Sequence, residues 1–577
     1  MRKLLKYLSQ YKKESILSPL LKMLEATFEL IVPLVVASMI DVGIKDSLLG
    51  GRGYIFKCFL ILVALGFVGL LVSCTAQFFA AKAATGFSKE LRHDLFNHLL
   101  NLNFTQIDNI GTSTMITRMT ADVNTLQNGV NMFLRLFLRS PFIVMGAMVM
   151  AFTIDVKSAL IFVAVILAVS LVVFLIMRSN IPLLKEVQKK LDEVLNLTRE
   201  NLSGARVIRA FTQEEKQYAD FEKTNDKLTA KQLKAGRISG LLNPLTYVLI
   251  NLAIVVLIMM GSSQVNKGIL TTGQVVALYN YMSQILVELI KFASLIVTVN
   301  KSLASANRVN EVFALTTGMD EGTETDNSVL SDSFIEFRNV SLQYHSGADE
   351  AVSNISFAIN KGQTLGIIGG TGSGKSTIAN MIPRFYDATL GEVLVDGVNV
   401  KSSNLEELRS RIGYVMQKAV LFEGTIKDNL LWGNEEASEE DIMEAIKTAV
   451  AEDVVKAKGG LSARIEAGGK NLSGGQRQRL TIARALVRKP DILILDDSSS
   501  ALDYVTDLKL RSNIASLDYN PTVVIISQRT ASVQDADKIL VLDDGQMAGY
   551  GTHEELLKSS EVYQEIYNSS FSRKEGE

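Results

Sequence analysis

Apolar residues fill long blocks before about residue 310 and short, interrupted runs after it, so the chain changes character once. Six of the early blocks can each cross a hydrocarbon core of ~30 Å, which takes roughly 20 helical residues. They are 16–42, 55–85, 132–154, 158–180, 239–264 and 274–300. Ala159 to Ile176 holds only Ala, Val, Ile, Leu and Phe apart from Ser170, a run that a soluble helical bundle does not need. Several blocks exceed the minimum, which predicts helices that tilt or project past the bilayer. The stretches 86–131 and 181–238 keep helical periodicity, as in Leu183 to Glu200, and are interrupted near Phe104 to Gly111 and Ala210 to Glu215. The predicted helices therefore continue out of the membrane and turn at those two places. In front of the first block, residues 1–15 mix Arg2, Lys3, Lys6, Lys12 and Lys13 with Leu4, Leu5, Tyr7, Leu8 and Tyr11, the pattern of an interfacial amphipathic helix. No short apolar region with a small-residue cleavage site follows it.

Basic residues set the expected orientation. The stretch between the fourth and fifth blocks is rich in them, from Lys185 through Lys190, Arg199 and Arg209 to Arg237, whereas 43–54, 155–157 and 265–273 carry few. The long connections and both termini are thus expected in the cytoplasm. Residues 315–333 are polar and rich in Gly and Thr, and read as a linker. Strand-like runs follow at 334–344, 353–359, 364–368, 392–395, 412–415, 491–496, 522–527 and 538–542, with helical segments between the later ones. The predicted architecture is an α-helical membrane domain of six transmembrane helices over 16–314, fused to an α/β domain over 334–577.

At 577 residues and 47% hydrophobic content the chain exceeds one domain and is apolar for a soluble protein. A net charge of −2 gives no reason to expect nucleic acid. Cys58 and Cys74 both fall in an apolar segment, which speaks against a disulfide framework or a metal site.

The run Gly369-Gly370-Thr371-Gly372-Ser373-Gly374-Lys375-Ser376-Thr377 fits the phosphate-loop pattern, with a buried strand before it and a helix after it. Its backbone N–H groups would face the phosphates of a nucleotide. Lys375 would reach the β- and γ-phosphates, Ser376 would offer its hydroxyl to Mg²⁺, and Thr377 would meet the α-phosphate. Asp491 to Asp496 is an apolar strand ending in a carboxylate, a second Mg²⁺-holding element. Between them lies Leu472-Ser473-Gly474-Gly475-Gln476. A phosphate loop, then LSGGQ, then a strand ending in Asp resembles the nucleotide-binding domain of an ATP-binding cassette (ABC) protein. With six spans in front, the chain resembles a bacterial ABC exporter half-transporter.

The resemblance implies further roles. Tyr344 matches the aromatic on which adenine stacks. Gln417 matches the glutamine that contacts Mg²⁺ and faces the transmembrane helices. Asp503 matches the D-loop aspartate, and Glu466 an element touching the partner's intracellular loops. Two such domains close head to tail around two ATP molecules, so Ser473, Gly474, Gly475 and Gln476 would serve the nucleotide held by the partner's phosphate loop.

Two positions depart from the family pattern. Asp497 stands where the family has the glutamate general base, and Gln528 where it has a switch histidine; the only histidine after the phosphate loop is His553. Gln cannot take up a proton as imidazole does. A weakened base beside an intact LSGGQ makes the chain similar to the degenerate-site subunit of heterodimeric exporters, whose partner is a homologous half-transporter. A homodimer with two slow sites, and an ATP-gated channel or regulatory ATP-binding subunit, are the competing readings.

Glu25 and Glu29 on the first span, and Gln284, Glu288 and Lys291 on the sixth, are intramembrane candidates for substrate contact or for pairing between helices, with Asp41 as a gate at the outer end. With Tyr281, Met282 and Phe292 nearby, the acids would suit hydrophobic or cationic small molecules, hence multidrug efflux ahead of lipid or peptide export.

Overall fold

The computed structural model describes residues 4–44, 51–315, 319, 322, 333–344, 347 and 349–572. The expected linker falls almost wholly outside them, as do Arg2 and Lys3 of the N-terminal segment. The chain divides into two compact units, Met1–Leu100 with Gly111–Leu315, and Asn101–Ile110 with Thr316–Glu577.

The first unit is all helix. A 3₁₀ segment, Leu4–Tyr11, runs straight into α1 (Lys12–Ser38), so the first helix begins before residue 16. There follow α2 (Gly51–Leu100), and after the short α3 (Phe104–Ile110), which belongs to the second unit, α4 (Thr112–Thr117), α5 (Val123–Leu136), α6 (Arg139–Ile154) and α7 (Val156–Ser203). The unit ends with α8 (Ala205–Ala210), α9 (Glu214–Gly240), α10 (Leu242–Asn266) and α11 (Thr272–Phe313). Among the described residues six helical stretches are long and apolar enough to cross a membrane. The 50 residues of α2 extend ~75 Å at 1.5 Å per residue, well beyond a bilayer core.

Short polar residues set the helix ends. Asp155 caps α7 by accepting from Ser158 N at 2.8 Å and also accepts from Gln264 Nε2 at 3.2 Å. Thr271 and Gln274 form a capping box at the start of α11. Asp41 accepts from Gly273 N at 2.8 Å and from the Thr271 hydroxyl, joining the ends of α1 and α11. Small residues let helices approach closely. A Cβ on Gly129 would fall 2.0 Å from Ser302 Oγ of α11, and one on Gly86 would fall 2.1 Å from the Tyr11 ring.

The second unit holds a six-stranded sheet and a four-stranded antiparallel sheet. The strands are β1 (Ile335–Leu342), β2 (Val352–Ile359), β3 (Thr364–Gly369), β4 (Leu390–Val395), β5 (Val398–Asn399), β6 (Ile412–Val415), β7 (Gly424–Thr425), β8 (Arg464–Ile465), β9 (Ile492–Asp496), β10 (Thr522–Ile526), β11 (Lys538–Asp543) and β12 (Gln546–Gly551). The larger sheet runs β12-β11-β3-β10-β9-β6, parallel except for β12, and the smaller runs β2-β1-β4-β5. Strand β3 is central and β9 lies two strands away, so the phosphate loop and Asp496 both emerge at the carboxyl edge of the sheet, where α/β folds bind ligands. The sequence reading omitted β12, whose two glycines weaken the strand signal, and the two-residue strands β5, β7 and β8.

Candidate nucleotide site

The loop after β3 is shaped by backbone that only glycine fits easily. Gly372 and Gly374 have φ of 85° and 90°, and a Cβ on Gly374 would fall 2.4 Å from Val352 Cγ1. Helix α12 (Lys375–Met381) starts directly behind it. The Lys375 ammonium is turned back on its own loop, donating to Gly369 O at 2.9 Å and to Gly370 O. Burial lowers its pKa below the usual lysine range, against the opposing pull of Asp497 and Asp496.

Ser376 Oγ donates to Asp496 Oδ1 at 3.0 Å. Asp496 is buried at the end of β9, and burial raises its carboxyl above the usual range, the Ser376 hydrogen bond opposing and the neighbouring Asp497 adding to the rise. Asp497 has a left-handed backbone, φ 45°, and its N–H donates to Ile526 O at 3.0 Å. Gln417 Nε2 donates to Asp497 Oδ2 at 3.3 Å. The Tyr344 and Thr377 hydroxyls are 3.0 Å apart.

A cavity of ≈ 310 Å³ gathers Thr371–Thr377 with Tyr344, Gln417, Asp496, Asp497 and Gln528. Gly369 and Gly370 stand behind it as the carbonyl partners of Lys375. A hydroxyl and a carboxylate 3.0 Å apart form an oxygen donor set of the kind Mg²⁺ takes. The remaining expected residues do not line this cavity. Ser473 heads a long helix (Gly474–Val487) through a capping box with Gln476, and Ser473 and Gly474 are exposed, with nothing within 4 Å of a Cβ on Gly474. Gly475 is closer packed, a Cβ there lying 3.0 Å from Ala501 O. Asp503 caps the next helix by accepting from Thr506 N at 2.9 Å, and Glu466 is exposed.

Beside the cavity the second unit contains contacts that motif reading missed. The Phe104 ring of α3 lies 4.5 Å from Phe385, and the Tyr386 hydroxyl donates to Asp108 Oδ2 at 2.6 Å. Tyr386 in turn stands edge-on to Tyr344. An aromatic pair directly after an arginine, a few residues beyond the phosphate-loop helix, was the available signal.

In the first unit the intramembrane acids are paired with bases, Glu288 buried and the Glu29 and Lys291 side chains 41% exposed. Arg139 binds both oxygens of Glu29 through Nη2, at 2.8 and 2.9 Å, and Glu288 Oε1 through Nη1 at 2.8 Å. Glu288 also accepts from Ser140 Oγ at 2.7 Å and Lys291 Nζ at 2.8 Å, while Lys22 pairs with Glu25 at 2.5 Å. The sequence reading named neither Arg139, within the block 132–154, nor Lys22, within the block 16–42. Tyr281 and Met282, expected beside substrate, are wholly buried in helix packing, the Tyr281 hydroxyl donating to Leu30 O at 2.7 Å. Each of these acids is thus paired with a base.

Residues 15–289 match the ABC transporter transmembrane region, and residues 352–500 match the ABC transporter domain. The chain is 36% identical to the uncharacterized ABC transporter ATP-binding protein YfiB of Bacillus subtilis (strain 168), covering 100% of both chains. It is 31% identical to a putative export ATP-binding/permease protein of Rickettsia felis, over 98% of both. The fold is that of a bacterial Atm1-family ABC exporter solved with ATP bound, with a TM-score of 0.81 and 98% of each chain covered at 23% identity. A six-span helical unit joined to a phosphate-loop unit, and full-length relatives of the same kind, lead to one conclusion: the chain belongs to the ABC transporters, as an exporter ATP-binding/permease protein whose second unit binds ATP and acts as a transport ATPase.

Proposed function

We propose that the chain is one half of a heterodimeric exporter of hydrophobic and amphipathic compounds, of multidrug type, and that its own phosphate loop holds the slower of two ATP molecules. It would sit in the plasma membrane with both termini and the second unit in the cytoplasm. The observation that carries this reading is the pair Asp497 and Gln528 on one cavity with a complete phosphate loop. An aspartate carboxylate stands back from a glutamate's by one methylene, on the order of 1.5 Å, and a general base must come within hydrogen-bond reach of the attacking water. The Asp497 side chain already accepts from Gln417, and its left-handed backbone suits Asp better than Glu. Gln528 could hydrogen-bond a γ-phosphate without taking its proton.

In operation, Lys375 would leave the loop carbonyls for the β- and γ-phosphates, and Tyr344 would take the adenine. Ser376, Asp496 and Gln417 would hold Mg²⁺, which neutralises phosphate charge during transfer. The exposed Ser473 and Gly474 would face the partner's nucleotide, completing the competent site there. A partner subunit is further supported by apolar side chains that water alone would otherwise cover, Met416, Val420, Phe422 and Trp432 in the second unit and Val207 and Phe211 in the first.

The test is turnover by the chain alone. Purified by itself it should hydrolyse ATP slowly, and the subunit that co-purifies with it from its native membrane should restore activity. Brisk, substrate-stimulated hydrolysis by a verified homodimer would overturn the reading.

A further inference from the structure

The charges inside the first unit form a chain whose two ends differ from its middle. In the order Glu29, Arg139, Glu288, Lys291, each neighbour pair is joined at 2.8 Å. Arg139 and Glu288 are 8% and 4% exposed, whereas the side chains of Glu29 and Lys291 are both 41% exposed. With Lys22 and Glu25 the cluster holds three acids and three bases, and sums to zero. Glu29 lies about 18 Å along the helix from Asp41, well inside the bilayer span. Open charges at that depth are costly against lipid and cheap against a water-filled path.

Both ends have unused valence. Lys291 spends one of three donors, on Glu288. Glu29 accepts from one nitrogen, Arg139 Nη2, and has lone pairs to spare. Beside them Arg139 Nε and Gln284 Oε1 are buried with no hydrogen-bond partner, although Gln284 Nε2 is fixed to Glu29 O at 3.2 Å. Tyr279, Ser283 and Val287 precede Lys291 at four-residue spacing on α11, and Tyr279 and Val287 are exposed there. A lone cation or anion entering this neutral cluster would leave one charge uncompensated in a poorly solvated place. A ligand carrying both charges would not.

We infer that Glu29 and Lys291 bind the head of a zwitterionic amphiphile, its ammonium on Glu29 and its acidic group on Lys291, with its apolar part along Tyr279 and Val287. This rests on the export reading and narrows its substrate from hydrophobic compounds in general to those with a doubly charged, net-neutral head. The head can come from an amino acid derivative or a phospholipid.

Three dansyl probes of matched length separate the terms: dansyl-lysine has both charges, dansylcadaverine lacks the carboxylate, and dansyl-aminohexanoate lacks the amine. With the assembled transporter in lipid nanodiscs, dansyl-lysine should bind on the order of tenfold tighter than either single-charge probe. Glu29→Gln should remove its advantage over dansyl-aminohexanoate while that anion still binds. Lys291→Gln should remove its advantage over dansylcadaverine while that cation still binds. Retained binding of the single-charge probe shows that each variant is folded. Displacement by lysophosphatidylethanolamine but not by acetyl-lysine assigns the head to lipid, and the reverse assigns it to amino acid derivatives. Equal binding of the three probes, tightest binding of the cation, or equal losses for all three in both variants would overturn the assignment. Selective binding of dansyl-lysine without ATP-driven accumulation in inside-out vesicles would instead overturn the export reading. Unselective ATP-driven accumulation would leave export standing and sink the site.

Discussion

The Tyr386 hydroxyl donates to the Asp108 carboxylate at 2.6 Å, so the short helix α3, which follows α2 in the chain, is held by a residue that also touches Tyr344. Tyr344 in turn reaches Thr377 in the helix behind the phosphate loop. A ring pair thus links the wall of the phosphate-loop cavity to α3 without passing through Asp496 or Asp497. Tyr386→Phe removes one charge-assisted hydrogen bond, about 1 kcal/mol at a half-exposed position, and leaves the ring contacts. Transport per ATP hydrolysed should fall several-fold while ATP affinity stays within about twofold. Measuring both on the same preparation checks it; a matching loss of ATP affinity would show that Tyr386 serves the base and not the helix.

If this chain's own site is the slower of two, restoring the usual family residues should speed it. The double change Asp497→Glu with Gln528→His should raise ATPase of the chain alone by ~10-fold or more, part of the ~10²-fold a positioned base supplies. Asp497→Glu alone should gain less, since the left-handed backbone with φ 45° disfavours the longer side chain. No gain from the double change would mean that the departures do not limit turnover.

Lys375 is a buried cation on the phosphate-loop cavity. Burial lowers its folded-state pKa below its unfolded value. In the window between the two the folded protein binds fewer protons than the unfolded chain, so stability rises with pH there and the penalty is fully present below the folded-state pKa. Lys375→Met should therefore raise the melting temperature of the nucleotide-free protein and abolish its stabilisation by ATP. A lower melting temperature without nucleotide would show that the loop carbonyls more than offset the burial.

Arg139 is the converse case, a charge whose removal leaves two others stranded. Arg139→Gln strips Glu29 and Glu288 of their shared partner and should destabilise by ~3–5 kcal/mol, the scale of breaking a buried pair from one side. Adding Glu29→Gln and Glu288→Gln should recover much of that loss, read as membrane yield and thermal unfolding in detergent. Failure of the triple variant to recover would place the role of Arg139 in packing.

What the sequence revealed and what it hid divide along the range of the interaction. The phosphate loop and Asp496 were legible because local chemistry, glycine for positive φ and a carboxylate at a strand end, dictates residue type at fixed spacing, whereas Gln417 and Gln528 were named only through the resemblance to ABC proteins. The six spans were legible from length and apolarity alone. Arg139 was not, because its partners Glu29 and Glu288 lie 110 and 149 residues away and no periodicity reports a pairing at that distance. Asp108 with Tyr386 was hidden in the same way, 278 residues apart. For Tyr281 and Met282 the error was of facing, since a helix apolar on most sides does not announce which side meets other helices.

Lys375 and Ser376 stand on the cavity with Asp496, whereas Ser473 and Gly474 are exposed on another helix end outside it. If two chains close head to tail, these groups serve different ATP molecules. Lys375→Ala would then remove the cation from the slow site, lowering nucleotide affinity there and affecting turnover only through weaker closure. Ser473→Ala, or a bulky residue at Gly475, would strip contacts from the partner's competent site, where charge develops during transfer and a donor is worth most, ~10²-fold for one lost contact. The signature changes should therefore cut ATPase and transport more deeply than Lys375→Ala, although they lie in the chain with the poorer base. Trapping nucleotide with a γ-phosphate mimic and locating it by photolabelling decides between the sites. Label recovered on this chain's Lys375 loop would reverse the assignment of slow and competent sites.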